Sequence, residues 1–462
     1  MKIFDIILLC LLPMLAVSQD QQTLSYADFI NIVEANHPIL SQIKLLDDKS
    51  NAYLLKAKGY TDPTVDFDIS KKSFDGKKYY RKIDGGIKIP TRIGIELEAG
   101  YENNIGQFLD NESTLPGSGL LSAGIKLPIG NGLRYDERRK VLDEAKLIAE
   151  KNELKQIEAF NKVLFSATKG YIDWQNNYQK LLLYRQANIV ALQSFGITKE
   201  VFSQGVGTAM DTIEAQLNLD QRKASLTKAE LDYYTSKQML NTYLWEENNS
   251  PLELRDEIIP EILQQEKWID QVATLQLSQD ERINSLTPIL GLALDRSQLD
   301  LDRRLEKENL KPVIDLKYNP LFRVDENNRF LSYSTSDYKA GVQVYYPLFA
   351  RKARGNVQLI DIEIENLDLT LPQVNQNIQI QLNNLMQIQL NVDKQINIAQ
   401  KNIVSATRLF EAETIKFSIG ESSLFLLNSR EQKKLSFELK AIELTKELLK
   451  QRAAYIYLLQ AY

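Results

Sequence analysis

The residues best suited to chemistry in this chain are few and scattered. His37 is the only histidine and stands beside Pro38, a setting in which histidine is more often structural than catalytic. Two glycine pairs, in 130–132 and 205–207, resemble phosphate-binding loops, but no Lys-Ser or Lys-Thr follows either of them. We therefore predict no catalytic residue, no cofactor and no metal site, and we do not expect the chain to be an enzyme.

The first residues predict a cleaved secretory leader. Lys2 precedes an apolar run over residues 6–12, and a small-residue stop ends at Ser18. This is the pattern of a signal peptide, which we assign to residues 1–18. Cys10, the single cysteine, lies inside the leader, so the mature chain is expected to carry neither a disulfide nor a thiolate-bound metal.

The charge argues against a nucleic-acid-binding protein, and the hydropathy argues against a protein with membrane-spanning helices. The chain has 56 basic and 61 acidic residues, a formal net charge of −5, which argues against nucleic acid as a partner. After the leader, no uninterrupted apolar run reaches the roughly 18 residues that a membrane-spanning helix needs. Any insertion into a membrane must therefore use strands.

The elements that would position functional residues begin with very long helices. One is predicted over about 134–203 and another over about 354–417, and each ends at a glycine-marked break followed by a returning helix. The two helical hairpins thus cover 134–245 and 354–462. The Asn/Gln-rich part, 373–402, keeps apolar residues at helical spacing, and its amide face either lines a water-filled duct or is a solvated face of a coiled coil.

Short segments with strict apolar and polar alternation predict strands. The first half offers four, at about 63–71, 80–90, 92–103 and 119–129, and the second half offers strands within 311–349. Such alternation is typical of lipid-facing barrel strands, although a water-soluble sheet gives the same pattern. The polar segments between them are predicted loops, at 71–78, 103–118 and 324–336.

Similar sequence landmarks occur in the same order in both halves of the chain. His37-Pro38-Ile39-Leu40 is answered by Thr287-Pro288-Ile289-Leu290, and Phe202-Ser203-Gln204-Gly205 is answered by Phe417-Ser418-Ile419-Gly420. Each half reads helix, strands, long helix, glycine break and returning helix. We therefore predict an internal duplication, with a first repeat over 19–250 and a second over 251–462.

Two further landmarks carry a resemblance to a known family. The strand exits match, with Pro128 followed by Arg134 in one half and Pro347-Leu348-Phe349 followed by Arg351 in the other. With the two glycine-marked hairpin breaks and the duplicated order, the chain resembles the TolC-type outer-membrane efflux proteins over essentially its whole mature length.

The resemblance implies a mixed α and β fold in which three chains share one transmembrane β-barrel. The long antiparallel helical hairpins would form an α-barrel tunnel through the periplasm of a Gram-negative bacterium. The chain would then be a homotrimeric outer-membrane channel for small molecules or proteins, in a tripartite efflux or type I secretion system. Its partners would be a periplasmic adaptor protein, an inner-membrane pump and outer-membrane lipid.

The same resemblance assigns roles to the hairpin tips. Adaptor docking falls on two triplets, whose members are Gly205, Val206, Gly207, Gly420, Glu421 and Ser422. An acidic residue six positions after the tip glycine helps to close the family's periplasmic gate. That position is Asp211 in the first tip, with Glu214 one turn further on.

The second tip departs from the family pattern. Leu426 and Ser429 stand where the family often has two aspartates, and Ser422 stands where some members have an arginine. The sequence therefore predicts no acidic cation-binding ring here. The apolar run 424–427 forms either a constriction or ordinary helix packing. Leu426 and Ser429 remain gate candidates by position.

Two alternatives stay open from the sequence. The first half has four strands where the family norm is two, so the additional hairpin at about 80–103 either enlarges a shared barrel from about twelve to about eighteen strands or folds against its rim. The chain could instead be an exported coiled-coil scaffold of the cell envelope. That function explains the leader and the helices, but it gives the alternating strands no role.

Overall fold

A computed structural model describes residues 22–263, 272, 274–276, 279–324 and 331–462. The predicted signal peptide, residues 1–18, lies outside the described residues. The helices are α1 Tyr26–Asn36, α2 Pro38–Lys58, α3 Glu137–Ser203, α4 Ala209–Asn241, α5 Gln279–Ile283, α6 Thr287–Glu308, α7 Arg351–Ser418 and α8 Leu424–Leu458.

Helices α3 and α7 dominate the molecule. They contain 67 and 68 residues, which at 1.5 Å per residue is on the order of 100 Å of helix each. Helix α7 continues through Pro372 and through the Asn/Gln-rich segment. No helix in the described parts of the chain has both the length and the apolar character to cross a membrane.

Eight strands lie in the described residues, and six of them form one antiparallel sheet in the order β2-β3-β4-β5-β7-β8. The short strands β1 and β6 pair separately, in parallel, near the centre of the long helices. The strands are β1 Thr23–Leu24, β2 Thr64–Phe74, β3 Lys77–Pro90, β4 Glu96–Ile105, β5 Leu120–Pro128, β6 Ile259–Pro260, β7 Val313–Val324 and β8 Leu331–Tyr345.

The structure corrects three predicted boundaries in this sheet. Residues 71–78 are not a loop, because β2 and β3 run on to a two-residue turn at Asp75 and Gly76, which both have positive φ. Strand β4 begins at Glu96 instead of 92, because Thr91 bonds Ile95 and closes a tight turn. In the predicted loop 324–336, strand β8 already begins at Leu331.

The register places apolar side chains on one face of the sheet from edge to edge. Val65 pairs with Ile87, and Leu97 pairs with Ile125, which in turn pairs with Tyr318. Because directly paired residues share a face, these side chains form one continuous surface. All of these side chains are exposed, whereas the apolar side chains of a water-soluble sheet are usually covered by a core.

The opposite face of the sheet is charged. Lys88 pairs with Asp66 at 3.3 Å, Lys126 with Asp315 at 3.1 Å, and Lys339 with Glu102 at 2.8 Å. The last pair joins β8 to β4 across the two intervening strands, so this face is concave. The sheet therefore has one apolar exposed side and one polar, ion-paired side.

The fully buried core lies along the middle of the helices. Phe29, Tyr171, Trp174 and Leu240 pack together where α1 and α4 meet α3. The Tyr171 hydroxyl donates to the carbonyl of Leu24 at 2.7 Å and so fastens β1 to the same core. A second cluster joins α7 and α8 and contains Leu382, Leu449, Tyr455 and Ile456.

Both halves of the chain present their elements in the same order. The first half has α2, then β2 to β5, then α3 and α4, and the second has α6, then β7 and β8, then α7 and α8. The duplication itself stays a prediction. The two additional strands of the first half lie in the same sheet as the others.

Candidate functional sites at the hairpin tips

The first hairpin turns at a glycine in the left-handed region. Gly205 has a φ of 78°, and the N–H groups of Val206 and Gly207 donate to the carbonyl of Val201 at 3.3 and 3.2 Å. Only glycine adopts this conformation without strain, and the bonds satisfy carbonyls that the helix end leaves free. Val206 is 80% exposed at the end of the hairpin.

Asp211 caps the helix on which it lies. Its N–H donates to Thr208 Oγ1 at 3.2 Å, while its carboxylate accepts from the Thr208 N–H at 3.2 Å and from the hydroxyl at 2.7 Å. This reciprocal capping box secures the start of α4. Glu214, one turn further, is half-buried.

The second hairpin repeats the backbone of the first. Gly420 has a φ of 81°, and the N–H of Glu421 donates to the carbonyl of Lys416 at 2.9 Å. Ser423 takes the N-cap position of α8, where its hydroxyl accepts from the Leu426 N–H at 3.3 Å. Leucine cannot return a bond to the cap, so this tip has half of the capping box.

The second tip adds a polar cluster that the first tip lacks. Ser422 donates to Glu413 Oε1 at 2.6 Å, and Arg430 lies 3.5 Å from Glu413 Oε2. The hydrogen bond from Ser422, assisted by Arg430, lowers the pKa of Glu413. The carboxylate therefore stays ionised and connects both helices of the hairpin to the turn. Glu413 and Arg430 were missed by sequence reasoning because they are distant in the chain and belong to no motif.

The two hairpins meet through their returning helices. Asn218 on α4 donates to Asn428 on α8 at 3.2 Å, and one turn above, Arg222 lies 3.7 Å from Glu431. The side chains of Arg222 and Glu431 are only 3% and 12% exposed. Burial raises the pKa of Glu431, and the charge of Arg222 opposes that rise. The sequence held no signal for this contact.

The predicted gate residues are not joined to one another within one chain. In the described parts of the chain, no hydrogen bond or ion pair links Asp211 or Glu214 to Leu426 or Ser429. In the apolar run 424–427, Leu424 is buried, which fits ordinary helix packing. Phe425, the next residue, is exposed.

Clusters of metal-binding side chains and the single histidine are the remaining places to look for chemistry. Across the described residues, no group of three or more His, Cys, Asp or Glu side chains is placed to hold a metal ion. His37, the single histidine, caps α2 by accepting from the Ile39 N–H at Nδ1, 3.2 Å away. Burial lowers the pKa of His37, which favours the neutral form that can accept this bond.

Comparison with known proteins shows what part of the chain is similar to. Residues 92–244 match the family model of the outer membrane efflux proteins. They include β4 and β5 and the whole first helical hairpin. That family consists of transport channels and not of enzymes. No curated protein matches the chain by sequence.

Solved structures of outer-membrane channels share the fold at low identity. The CmeC channel of Campylobacter jejuni is 15% identical with a TM-score of 0.63, over 94% of this chain and 85% of that one. The open MtrE channel of Neisseria gonorrhoeae is 12% identical with a TM-score of 0.66, over 94% and 88%. For VceC of Vibrio cholerae the values are 11% and 0.64, over 94% and 96%. The family model and the shared fold confirm the predicted resemblance to the outer-membrane efflux proteins.

Proposed function

Starting from this resemblance to the outer-membrane efflux proteins, we propose that the chain is one of three identical subunits of a duct through the outer membrane of a Gram-negative bacterium. The sheet would lie in the membrane and the helical hairpins would extend into the periplasm. The duct would export small molecules or proteins that an inner-membrane pump delivers. The repeats 19–250 and 251–462 would each supply one hairpin to every subunit.

The observation that carries this proposal is the six-stranded sheet with its exposed apolar face. Its outer edges, β2 and β8, lie at opposite ends of the strand order. Unpaired edges are not tolerated in lipid, because the free backbone N–H and C=O groups have no water to bond. A sheet of this kind must therefore pair its edges with other chains.

The strand directions support closure by copies of the same chain. All neighbours in the sheet are antiparallel, so in a row of six the first and last strands run in opposite directions. Strand β8 of one copy can therefore pair with β2 of the next in the same antiparallel manner. Three copies would give a barrel of about eighteen strands, within the range of outer-membrane barrels. The additional hairpin would then be part of the barrel wall.

The alternative of an exported coiled-coil scaffold leaves this apolar face without a partner. Val65 and Phe67 are 74% and 68% exposed. Such a continuous apolar surface is rare on water-soluble monomers. Lipid contact accounts for it directly.

A membrane experiment tests the duct. The full chain is extracted from the outer-membrane fraction with detergent, run unboiled and boiled on gels, and reconstituted in a planar bilayer. We expect a heat-sensitive trimer that produces discrete current steps. A monomer that salt removes from membranes and that carries no current would exclude the duct and favour the scaffold.

The hairpin tips would dock the adaptor and form the gate. Docking would use Gly205 to Gly207 and Gly420 to Ser422, whose backbones end the two hairpins. Asp211, Glu214, Leu426 and Ser429 would narrow the periplasmic entrance. The capping box of Asp211 and the Ser422–Glu413–Arg430 cluster would keep these positions rigid.

Conductance of the isolated trimer tests the gate. Asp211→Ala removes the carboxylate and the cap, whereas Asp211→Asn removes the charge and keeps an acceptor for the cap. If Asp211 acts through its charge, both variants should raise the current, and Leu426→Ser should do the same by widening an apolar contact. Unchanged current in all three variants would exclude the gate assignment.

A further inference from the structure

The turn between β2 and β3, which leads into the additional hairpin at about 80–103, carries an unusual concentration of positive charge. Residues 71–82 include six cations and a single carboxylate, Asp75, in a chain whose net charge is −5. This end of the sheet is the one opposite the helices. The resemblance to the efflux family does not explain the feature, because the family norm is two strands per half.

Two of the six cations have partners. Lys72 lies over the ring of Tyr79 at 4.8 Å, and Lys82 lies over Tyr80 at 5.4 Å and near the hydroxyl of Ser113 at 3.4 Å. The other four have no ion pair with any described carboxylate. These four cations are Lys71, Lys77, Lys78 and Arg81.

The four unpaired cations line one groove. The groove has a volume of about 750 Å³, and its wall also includes Ile105 and Phe108 but no carboxylate. Lys71 and Arg81 lie directly opposite each other in the β2–β3 register. Like charges at such positions are destabilising, because the side chains stand about 5 Å apart. An anion between them would remove this repulsion.

The groove continues into the apolar face of the sheet. The next pair toward the helices on the same face is Ile69 and Ile83, followed along β2 by Phe67 and Val65. Val65, Phe67 and Ile69 are all exposed. From Val65 to Lys71 the strand rises about 20 Å, close to the roughly 25 Å height of the apolar band of an outer-membrane barrel. The cations therefore stand where the band ends.

We propose that this groove binds the phosphate groups of an anionic lipid of the outer leaflet, with Lys71 and Arg81 holding the phosphate and the acyl chains lying along Ile69, Phe67 and Val65. Arg81 can bond two phosphate oxygens at once, which a lysine cannot do. Lys77 and Lys78 supply further charge at the same level. The lipid would fix the height of the additional hairpin in the membrane.

This inference rests on the proposed position of the sheet in the membrane. The test is native mass spectrometry of the full-length protein in neutral detergent, titrated with bis-phosphorylated lipid A. The site variant is the double substitution Lys71→Gln and Arg81→Gln. The control variant, Lys199→Gln with Lys401→Gln, removes two exposed helix charges that form no ion pair with any described residue.

We expect each chain to retain one lipid A and the site variant to bind it on the order of tenfold more weakly. The control variant should bind like the wild type. The exchange Lys71→Arg with Arg81→Lys, which keeps both charges, should retain most of the affinity. This last variant also shows whether the hairpin tolerates substitution.

Three outcomes would overturn the inference. The site variant could bind lipid A as tightly as the control does. Lipid A without its phosphates could bind equally well. Inorganic phosphate at millimolar concentration could displace the lipid, and this displacement would indicate a site for free anions. Trimer formation and bilayer current are measured on the same samples. Loss of current with normal lipid binding would count against the duct alone.

Discussion

The two hairpin tips have nearly the same backbone but different polar chemistry. Gly205 and Gly420 have φ values of 78° and 81°, and the next N–H in each tip bonds the helix carbonyl five residues back. A hydroxyl side chain, Thr208 or Ser423, then caps the returning helix in the same way. A glycine and a capping hydroxyl are thus sufficient for the turn.

The differences lie around this shared turn. Six residues after the glycine the first tip has Asp211, which completes a capping box, and the second has Leu426, which cannot. The second tip has Glu413 and Arg430 where Thr198 and Ala215 stand in the first, by the same count from the glycines. Turn geometry therefore constrains few side chains, and the other positions can differ between the tips.

The largest effect should come from breaking the contact that joins the two hairpins. Glu431→Ala leaves the charge of Arg222 buried without its partner, and we expect a loss of about 3 kcal/mol of stability. Thermal unfolding followed by circular dichroism measures it. Glu411→Ala, an exposed carboxylate on α7, is the control and should change stability by less than about 0.5 kcal/mol. Equal midpoints for the two variants would show that the hairpins do not depend on this pair.

The tip glycines test whether the two turns are equivalent. No atom lies within 4 Å of a Cβ added to Gly205 or Gly420, so alanine there meets only the strain of a positive φ. We expect Gly205→Ala and Gly420→Ala to lose about 1–2 kcal/mol each, by equal amounts. The controls Gly196→Ala and Gly355→Ala, in open helical positions, should instead stabilise by about 0.5–1 kcal/mol. Unequal losses at the tips would disprove the equivalence.

Exchanging the residues six positions after the glycines should reverse the difference between the caps. Asp211→Leu removes the returning bond and should destabilise the first hairpin by about 1 kcal/mol. Leu426→Asp creates a capping box with Ser423 and should stabilise the second hairpin by a similar amount. Hydrogen exchange of the first turn of α4 and of α8 measures each effect locally. Protection that moves in the same direction at both tips would contradict this explanation.

The smallest effect concerns the starts of α2 and α6. The first half uses the side chain of His37 as its cap, whereas Leu286 has none and the Thr287 N–H is satisfied by Gln460 at 3.1 Å. We expect His37→Ala to lose about 0.5–1 kcal/mol and His37→Asn to lose less.

The His37 cap should also depend on pH. Burial lowers the pKa of His37 in the folded chain, so the unfolded chain binds the proton more readily. The contribution of His37 to the free energy of unfolding, measured against His37→Asn, should therefore have its full value above about pH 6.5 and decrease as the pH falls below it. Thermal midpoints at pH 7.5 and pH 5 measure the difference. A constant difference between the two proteins would show that the imidazole does not titrate in this way.

Much of the architecture could be predicted, and the misses have definite causes. Helical periodicity predicted both hairpins to within a few residues, because apolar spacing over so many turns is unambiguous. The prediction of a loop at 71–78 was wrong because the segment is mostly charged and polar, a composition typical of loops. Asp75-Gly76 is, however, a typical two-residue hairpin turn between strands. Thr208 and Asp211 have the spacing of a capping box, but Asp211 was assigned only to the gate.

By itself the sequence determined the long helices, the glycine turns and the two faces of the sheet, since these follow from local spacing and from the conformations that glycine permits. Only the tertiary structure brought Glu413 to Arg430 and Arg222 to Glu431, and opposed Lys71 to Arg81. Such contacts depend on which faces of separate elements meet. The register of packing decides that, and no periodicity within a single element encodes it.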